Sequence, residues 1–475
     1  MTKPTISALA MVSLGLLLTG CASVPSKGGF DEVQQAATQR LGQKVQWNQG
    51  TADDKAAAQG VQSLLHRPLT ADDAVQVALL NNRRLQATYE ELGVAQANLV
   101  QAGLLKNPRF SGSFQPSVSS GPVPVIGLEL TQDFLDLFFV GLRKSIASGE
   151  FDAAKARVTA AVLDQAGETR VAFLELQAAE QLLEMRRSVA DAAAAAREAS
   201  QRLFDAGNIT QLALANERAG LSQATLDLAW AQAQAIERRE RLNGSMGLWG
   251  ADATTWRVAG RLPELPKEEI DIQGIERRAI GHSLDLAEAK ARVQVAAGRA
   301  GITQWPAILS DVEVGVISTR ENDGFWHVGP SVALQIPLFD QGQARNAAGA
   351  AQLRRALQEY VAEAVELRSA ARAARDRLVA ARERAAYCRD VLLPVRHEVL
   401  RESQLQYNAM QIGVFQLLAA KRDEIEAGTQ YVESLRDYWM ARANLELILA
   451  GRNMPGSSDA ARSSSAGAGS ERKGH

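Results

Sequence analysis

Ala102-Gly103-Leu104-Leu105-Lys106-Asn107-Pro108 and Ala300-Gly301-Ile302-Thr303-Gln304-Trp305-Pro306 mark one event twice. In each, a helical pattern runs into a proline, which lacks an N–H and pushes the residue before it out of the helical region. In each, short segments of alternating hydrophobicity follow. The correspondence extends upstream: Ala78-Leu79 and Asn82-Arg83-Arg84-Leu85 in the first half answer Ala279-Ile280 and Ser283-Leu284-Asp285-Leu286 in the second. The chain therefore repeats itself once. Thr70, with Asp73 three residues on, reads as a capping box. The helix it opens is expected to run to about Leu105 and to end at Pro108.

Four segments have a period of two, the signature of strands. Phe110, Gly112 and Phe114 alternate with Arg109, Ser111, Ser113 and Gln115, and Ile126, Leu128 and Leu130 with Gly127, Glu129 and Thr131. In the second half Val312, Val314 and Val316 alternate with Asp311, Glu313 and Gly315, and Val328, Val332, Leu334 and Ile336 with Gly329, Ser331, Ala333 and Gln335. Each has one apolar and one polar or small face. A membrane barrel reads this way, and so does a soluble sheet with one buried face; the strands alone do not choose. Pro330 interrupts the fourth segment.

After each strand pair comes a very long helical pattern. From about Lys144 to Phe204 there is no proline, and a helix of that length would extend roughly 90 Å. The second runs from about Gln343 to Tyr407, with Pro394 expected to kink it or mark a handover. Helices this long must pack along one another as coiled coils. Each ends in a turn, Phe204-Asp205-Ala206-Gly207-Asn208-Ile209-Thr210 and Tyr407-Asn408-Ala409-Met410-Gln411-Ile412-Gly413, followed by a return helix to about Leu242 and Leu449.

At the N-terminus, Lys3, an apolar run from Ile6 to Leu18 and then Thr19-Gly20-Cys21 read as a lipoprotein signal. Cys21 would carry the lipid, and Ala22 after it, rather than aspartate, points to the outer membrane. The rest of the 475-residue chain holds no run of about 20 apolar residues, so any crossing of the bilayer must be by strands. A net charge of −2 sets up no field favouring nucleic acid, and the arginine runs of the second long helix read as solvated faces. With Cys21 assigned to lipid, Cys388 stands alone and no disulfide framework exists. There is no HExxH, CxxC, GxSxG or phosphate-binding glycine loop, and the five histidines have no helical metal spacing, so neither catalysis, cofactor nor metal site is expected. The resulting division is a signal peptide (1–20), an N-terminal anchor segment (21–68), a first repeat (69–247), a connector (248–269), a second repeat (270–451) and a disordered tail (452–475).

The order helix, strand, strand, long helix, tip, return helix, given twice behind a lipoprotein signal, resembles the TolC-type outer-membrane efflux factors. The residues that carry the resemblance are Asn107-Pro108, the stretch Ile336-Pro337-Leu338-Phe339-Asp340-Gln341-Gly342, and the two tips; it covers about residues 69–451. It implies a mainly α fold with membrane β: a homotrimer whose chains each give four strands to one 12-stranded barrel, continued by a long coiled-coil tunnel. It implies a lipid bilayer around the barrel, and a periplasmic adaptor and an inner-membrane efflux pump as partners. Ala206, Gly207 and Asn208 in one tip and Met410, Gln411 and Gly413 in the other would face the adaptor. Gln416 and Ala419 fall where some relatives narrow the aperture with acidic residues, and relatives often carry glycine at the place of Met410. Arg109, Glu129, Asp311 and Glu313 would line the barrel lumen. The chain would be a passive duct. Residues 407–422 resemble relatives from heavy-metal, particularly copper, export systems, while drugs, dyes or other small organic molecules fit a passive duct equally well. The alternative is a non-channel lipoprotein, a coiled-coil spacer with a soluble sheet.

Overall fold

The structure is a computed structural model and describes residues 23–116, 124–133, 136–303, 312–321, 323–334, 336 and 338–453. Cys21, Asp311 and the tail beyond residue 453 lie outside the described residues, as do Gln304, Trp305 and Pro306. Two helices, α1 (Phe30–Leu41) and α2 (Ala52–Leu65), lie in the N-terminal segment. The first repeat follows as α3 (Ala71–Asn81), α4 (Arg83–Ala102), β1 (Arg109–Gln115), β2 (Val125–Asp133), α5 (Asp136–Asp205) and α6 (Gln211–Met246). After a short α7 (Asp252–Thr255), the second repeat runs α8 (Ile275–His282), α9 (Leu284–Thr303), β3 (Val312–Arg320), β4 (Trp326–Leu334), α10 (Gln343–Tyr387), a π-helix (Cys388–Leu392), α11 (Leu393–Asn408) and α12 (Val414–Ala450).

The expected capping box forms: the Thr70 hydroxyl accepts from the Asp73 amide at 3.2 Å, and the Asp73 carboxylate accepts from the Thr70 amide at 3.1 Å. The helix it opens does not reach Leu105 unbroken. Asn82 adopts an extended conformation, and its Oδ1 caps a new helix by accepting from the Arg84 and Leu85 amides. Ser283 repeats the break, its hydroxyl accepting from the Leu286 amide. Asn and Ser are strong N-caps, and here the cap restarts a helix rather than starting one.

The chain forms two compact units. The first combines residues 1–32, 89–156 and 287–362; the second combines 33–88, 157–286 and 363–475. In the first unit α5 and α9 approach closely through glycines. A Cβ on Gly149 would lie 2.9 Å from Val295 Cγ2, and one on Gly298 2.8 Å from Ile146 Cγ1. The glycines are the fit between the helices, not breaks in them.

In the second unit, Leu69, Val77, Phe173, Leu176, Leu242, Met246 and Trp256 form a buried core. Each return helix ends against the break that opens its repeat. Asn82 Nδ2 donates to the Ser245 carbonyl at 2.8 Å, and the Leu284 amide donates to the Gly451 carbonyl at 2.9 Å. Gly451 has φ +110°, and a Cβ there would collide with the His282 carbonyl oxygen, so only glycine fits. Arg452 then pairs with Asp164 at 2.7 Å and with Asp285.

Pro394 produces the expected handover. It has no N–H to give residue 390, and the chain widens one turn: the Leu393 amide reaches back five residues to the Cys388 carbonyl. The connector is a strap. Trp439 Nε1 donates to the Pro263 carbonyl at 2.7 Å, Tyr438 OH donates to Glu269 at 2.7 Å, and Arg382 and Arg442 pair with Glu269 at 2.9 and 3.4 Å. Among the described residues no helix is long and apolar enough to cross a membrane.

Candidate functional site

The four strands form one antiparallel sheet in the order β1-β2-β3-β4. Directly paired residues of an antiparallel sheet share a face. Pairing of Phe110 with Leu130, Leu130 with Val316 and Val316 with Pro330 therefore carries one apolar face across all four strands. Ile126, Leu128, Val314, Val332 and Leu334 lie on the same face. Arg109, Ser111, Glu129, Thr131, Glu313, Gly315 and Ser331 lie on the other.

The apolar face is exposed. Phe110 is 68% exposed, Leu130 51%, Val316 52% and Val332 63%, so among the described residues nothing covers them. An uncovered apolar face of this kind marks contact with a partner or a membrane. Beyond Val316 the alternation of β3 changes. Ile317 falls on the polar face, and Ser318 and Arg320 on the apolar one. Arg320, the charged residue of that face, is paired with Trp326 in the last row of the β3–β4 ladder. An aromatic and a cation at the end of an apolar band suit the edge of a bilayer.

Three expected lumen residues fall on the polar face: Arg109, Glu129 and Glu313. Arg109 reaches over β2 to pair with Glu313 at 3.2 Å. Asp311 lies outside the described residues. Gly315 is required here, because a Cβ would meet Thr131 Cγ2 at 2.7 Å and Ser331 Oγ at 2.8 Å. β4 continues through Pro330, which pairs with Val316 of β3.

The two tips are built alike, which their sequences do not announce. At the first, the Ala206, Gly207 and Asn208 amides donate to the Arg202, Phe204 and Leu203 carbonyls, and Gly207 has φ +73°. At the second, the Ala409, Met410 and Gln411 amides donate to the Leu405, Tyr407 and Gln406 carbonyls, and Met410 has φ +58°. The same helix-ending motif thus uses glycine once and an L-residue once. The Met410 side chain is 93% exposed at the apex.

Gln416 caps its own helix, its Oε1 accepting from the Gly413 amide at 3.2 Å, and Ala419 is exposed one turn on. The nearby acids are engaged with α11. Asp423 pairs with Arg396 at 2.9 Å, and Glu424 pairs with His397 at 3.0 Å and with Lys421 at 2.6 Å. Partial burial alone would raise the Glu424 pKa, but the hydrogen bonds and charges of Lys421 and His397 hold it below the usual carboxylate value.

Comparison with known proteins gives this geometry a context. Residues 74–248 match the family model described as outer membrane efflux protein. The chain is 22% identical over 393 residues to the cobalt-zinc-cadmium resistance protein CzcC of Cupriavidus metallidurans, covering 80% of this chain and 90% of that one. Its fold is similar to solved CusC, with TM-score 0.65 and 14% identity over 82% of this chain and 94% of that one. It is similar also to the Campylobacter jejuni CmeC outer membrane channel, with TM-score 0.69 and 15% identity over 83% and 88%.

Proposed function

We propose that this chain, a TolC-type member of the outer membrane efflux protein family, is the outer-membrane channel component of a tripartite efflux system. The observation that carries the reading is the sheet: among the described residues it has four strands, one exposed apolar face, one polar face, and two unpaired edges. Four strands cannot close a barrel, and an open edge is not tolerated in lipid. Three copies joined edge to edge would give 12 strands, with the apolar face toward lipid and Arg109, Glu129, Asp311 and Glu313 toward water. A stripe on α10 supports the same assembly. Leu357, Val361 and Val365 recur every four residues and are 45%, 55% and 60% exposed.

In this reading the long helices continue the barrel as a tunnel, and the tips at Gly207 and Met410 meet a periplasmic adaptor joined to an inner-membrane pump. The channel does no chemistry; solute passes when the tips part. The ties from Asp423 and Glu424 to α11 replace an acidic ring at Gln416 and Ala419. Cys21 carries a lipid anchor beside the barrel. Divalent metals come first as cargo, on the likeness to CzcC. The test compares cells with and without the chain for sensitivity to cobalt, zinc, cadmium, copper and hydrophobic drugs. Sensitisation to one class identifies the cargo; unchanged sensitivity to all of them, with pump and adaptor present, would overturn the channel reading.

A further inference from the structure

The β3–β4 hairpin tip gathers three donors of two chemical kinds. Glu321, Asp323 and His327 each offer one ligating atom, and these atoms all lie within 4.8 Å of one another. Strand register, rather than loop geometry, brings them together. Glu321 directly follows β3, and His327 belongs to β4, paired with Thr319. Glu321 and His327 therefore rise from neighbouring positions on the polar face of the sheet. The turn between them is closed by the Glu321 amide donating to the Phe325 carbonyl at 3.2 Å and the Gly324 amide donating to the Glu321 carbonyl at 2.9 Å. Asp323 Oδ1 accepts from the Phe325 amide at 2.9 Å, which aims the carboxylate and leaves its second oxygen free of that bond.

The adjacent cation does not neutralise the pair of carboxylates. Arg320 lies on the opposite face, paired with Trp326, and its Nε donates to the Gly324 carbonyl at 3.3 Å. Among the described residues neither Glu321 nor Asp323 has an ion-pair partner. The two carboxylates and the imidazole therefore face one another and solvent. One nitrogen and two oxygens suit zinc or cobalt, whereas magnesium and calcium favour oxygen alone.

We propose that Glu321, Asp323 and His327 form a binding site for a borderline divalent cation such as zinc or cobalt, at the tip of the β3–β4 hairpin. Water completes the coordination shell. The site holds its cation in exchange with solution, because all three side chains are exposed.

The test uses the full chain in mild detergent, free of any affinity tag that binds metal. Cobalt is titrated and followed by its visible absorption, with zinc and then magnesium as competitors. The expected result is one saturable cobalt site per chain, displaced by zinc and not by magnesium. His327→Gln should weaken it by at least about tenfold, and Glu321→Gln similarly. Circular dichroism and native mass confirm that both variants fold. Cobalt binding that is absent, or equal in wild type and His327→Gln, overturns the site. The titration involves no export, so its failure leaves the channel reading standing.

Discussion

Leu130→Lys and Ser111→Lys place the same charge on neighbouring strands and opposite faces. Leu130 lies between Phe110 and Val316 on the apolar face, one residue from the centre of β2. Ser111 pairs with Glu129 on the polar face, so a lysine there gains a carboxylate opposite it. If the apolar face meets lipid, a lysine near mid-depth costs about 2–4 kcal/mol per chain. Three copies in one barrel would multiply this to about 6–12 kcal/mol, comparable to the whole stability of a folded domain. Ser111→Lys should be near neutral. The assay is the amount of folded oligomer in isolated outer membranes. The expected result is near-complete loss for Leu130→Lys and wild-type yield for Ser111→Lys. Equal yields for both would refute the assignment of lipid to the face that carries Leu130.

Met410→Gly should relieve a left-handed conformation that costs an L-residue about 1–2 kcal/mol, less the ~0.5–1 kcal/mol of extra chain entropy glycine loses. Hydrogen exchange across residues 405–415 should slow by a few-fold, whereas Met410→Ala leaves it unchanged. Gly451→Ala forces a Cβ against the His282 carbonyl at a φ of +110° and should cost at least about 2 kcal/mol, read as earlier thermal unfolding. The connector strap should loosen in acid. Burial would raise the Glu269 pKa, but the Ile270 amide, Tyr438, Arg382 and Arg442 together hold it below the ordinary carboxylate value. A depressed carboxylate stabilises above its unfolded pKa, and that contribution is lost as pH falls through the folded value. Hydrogen exchange over residues 262–270 should therefore rise in that acidic window, and Glu269→Gln should remove the dependence. Cys21→Ala should leave the protein out of the outer-membrane fraction; normal outer-membrane yield with unchanged export would count against the lipid anchor.

What could be read in advance follows from the range of the interactions. Strand faces are a period-two property of consecutive residues, so the split between Leu128 and Glu129 or Val314 and Glu313 was visible without any partner. Pro394 and Gly207 act on their own backbone and were equally legible. The break at Asn82 was not, because Arg83-Arg84-Leu85 continues the helical pattern and the group that holds Asn82, the Ser245 carbonyl, lies 163 residues away. The second tip was misleading for a related reason. Met410 looked like a departure from glycine, yet its amide and its neighbours' amides make the same bonds as those around Gly207. The strap could not be foreseen, since Glu269 finds Arg382, Tyr438 and Arg442 only once α10 and α12 are in place. Histidine spacing along helices likewise overlooked His327, which approaches Glu321 and Asp323 through strand register.

The shared barrel is the central claim, and the native mass of the protein extracted from outer membranes in mild detergent tests it most directly. A shared barrel predicts three copies of the chain, each 51.1 kDa before any N-terminal processing. A monomer, or protein released from membranes without detergent, would contradict it.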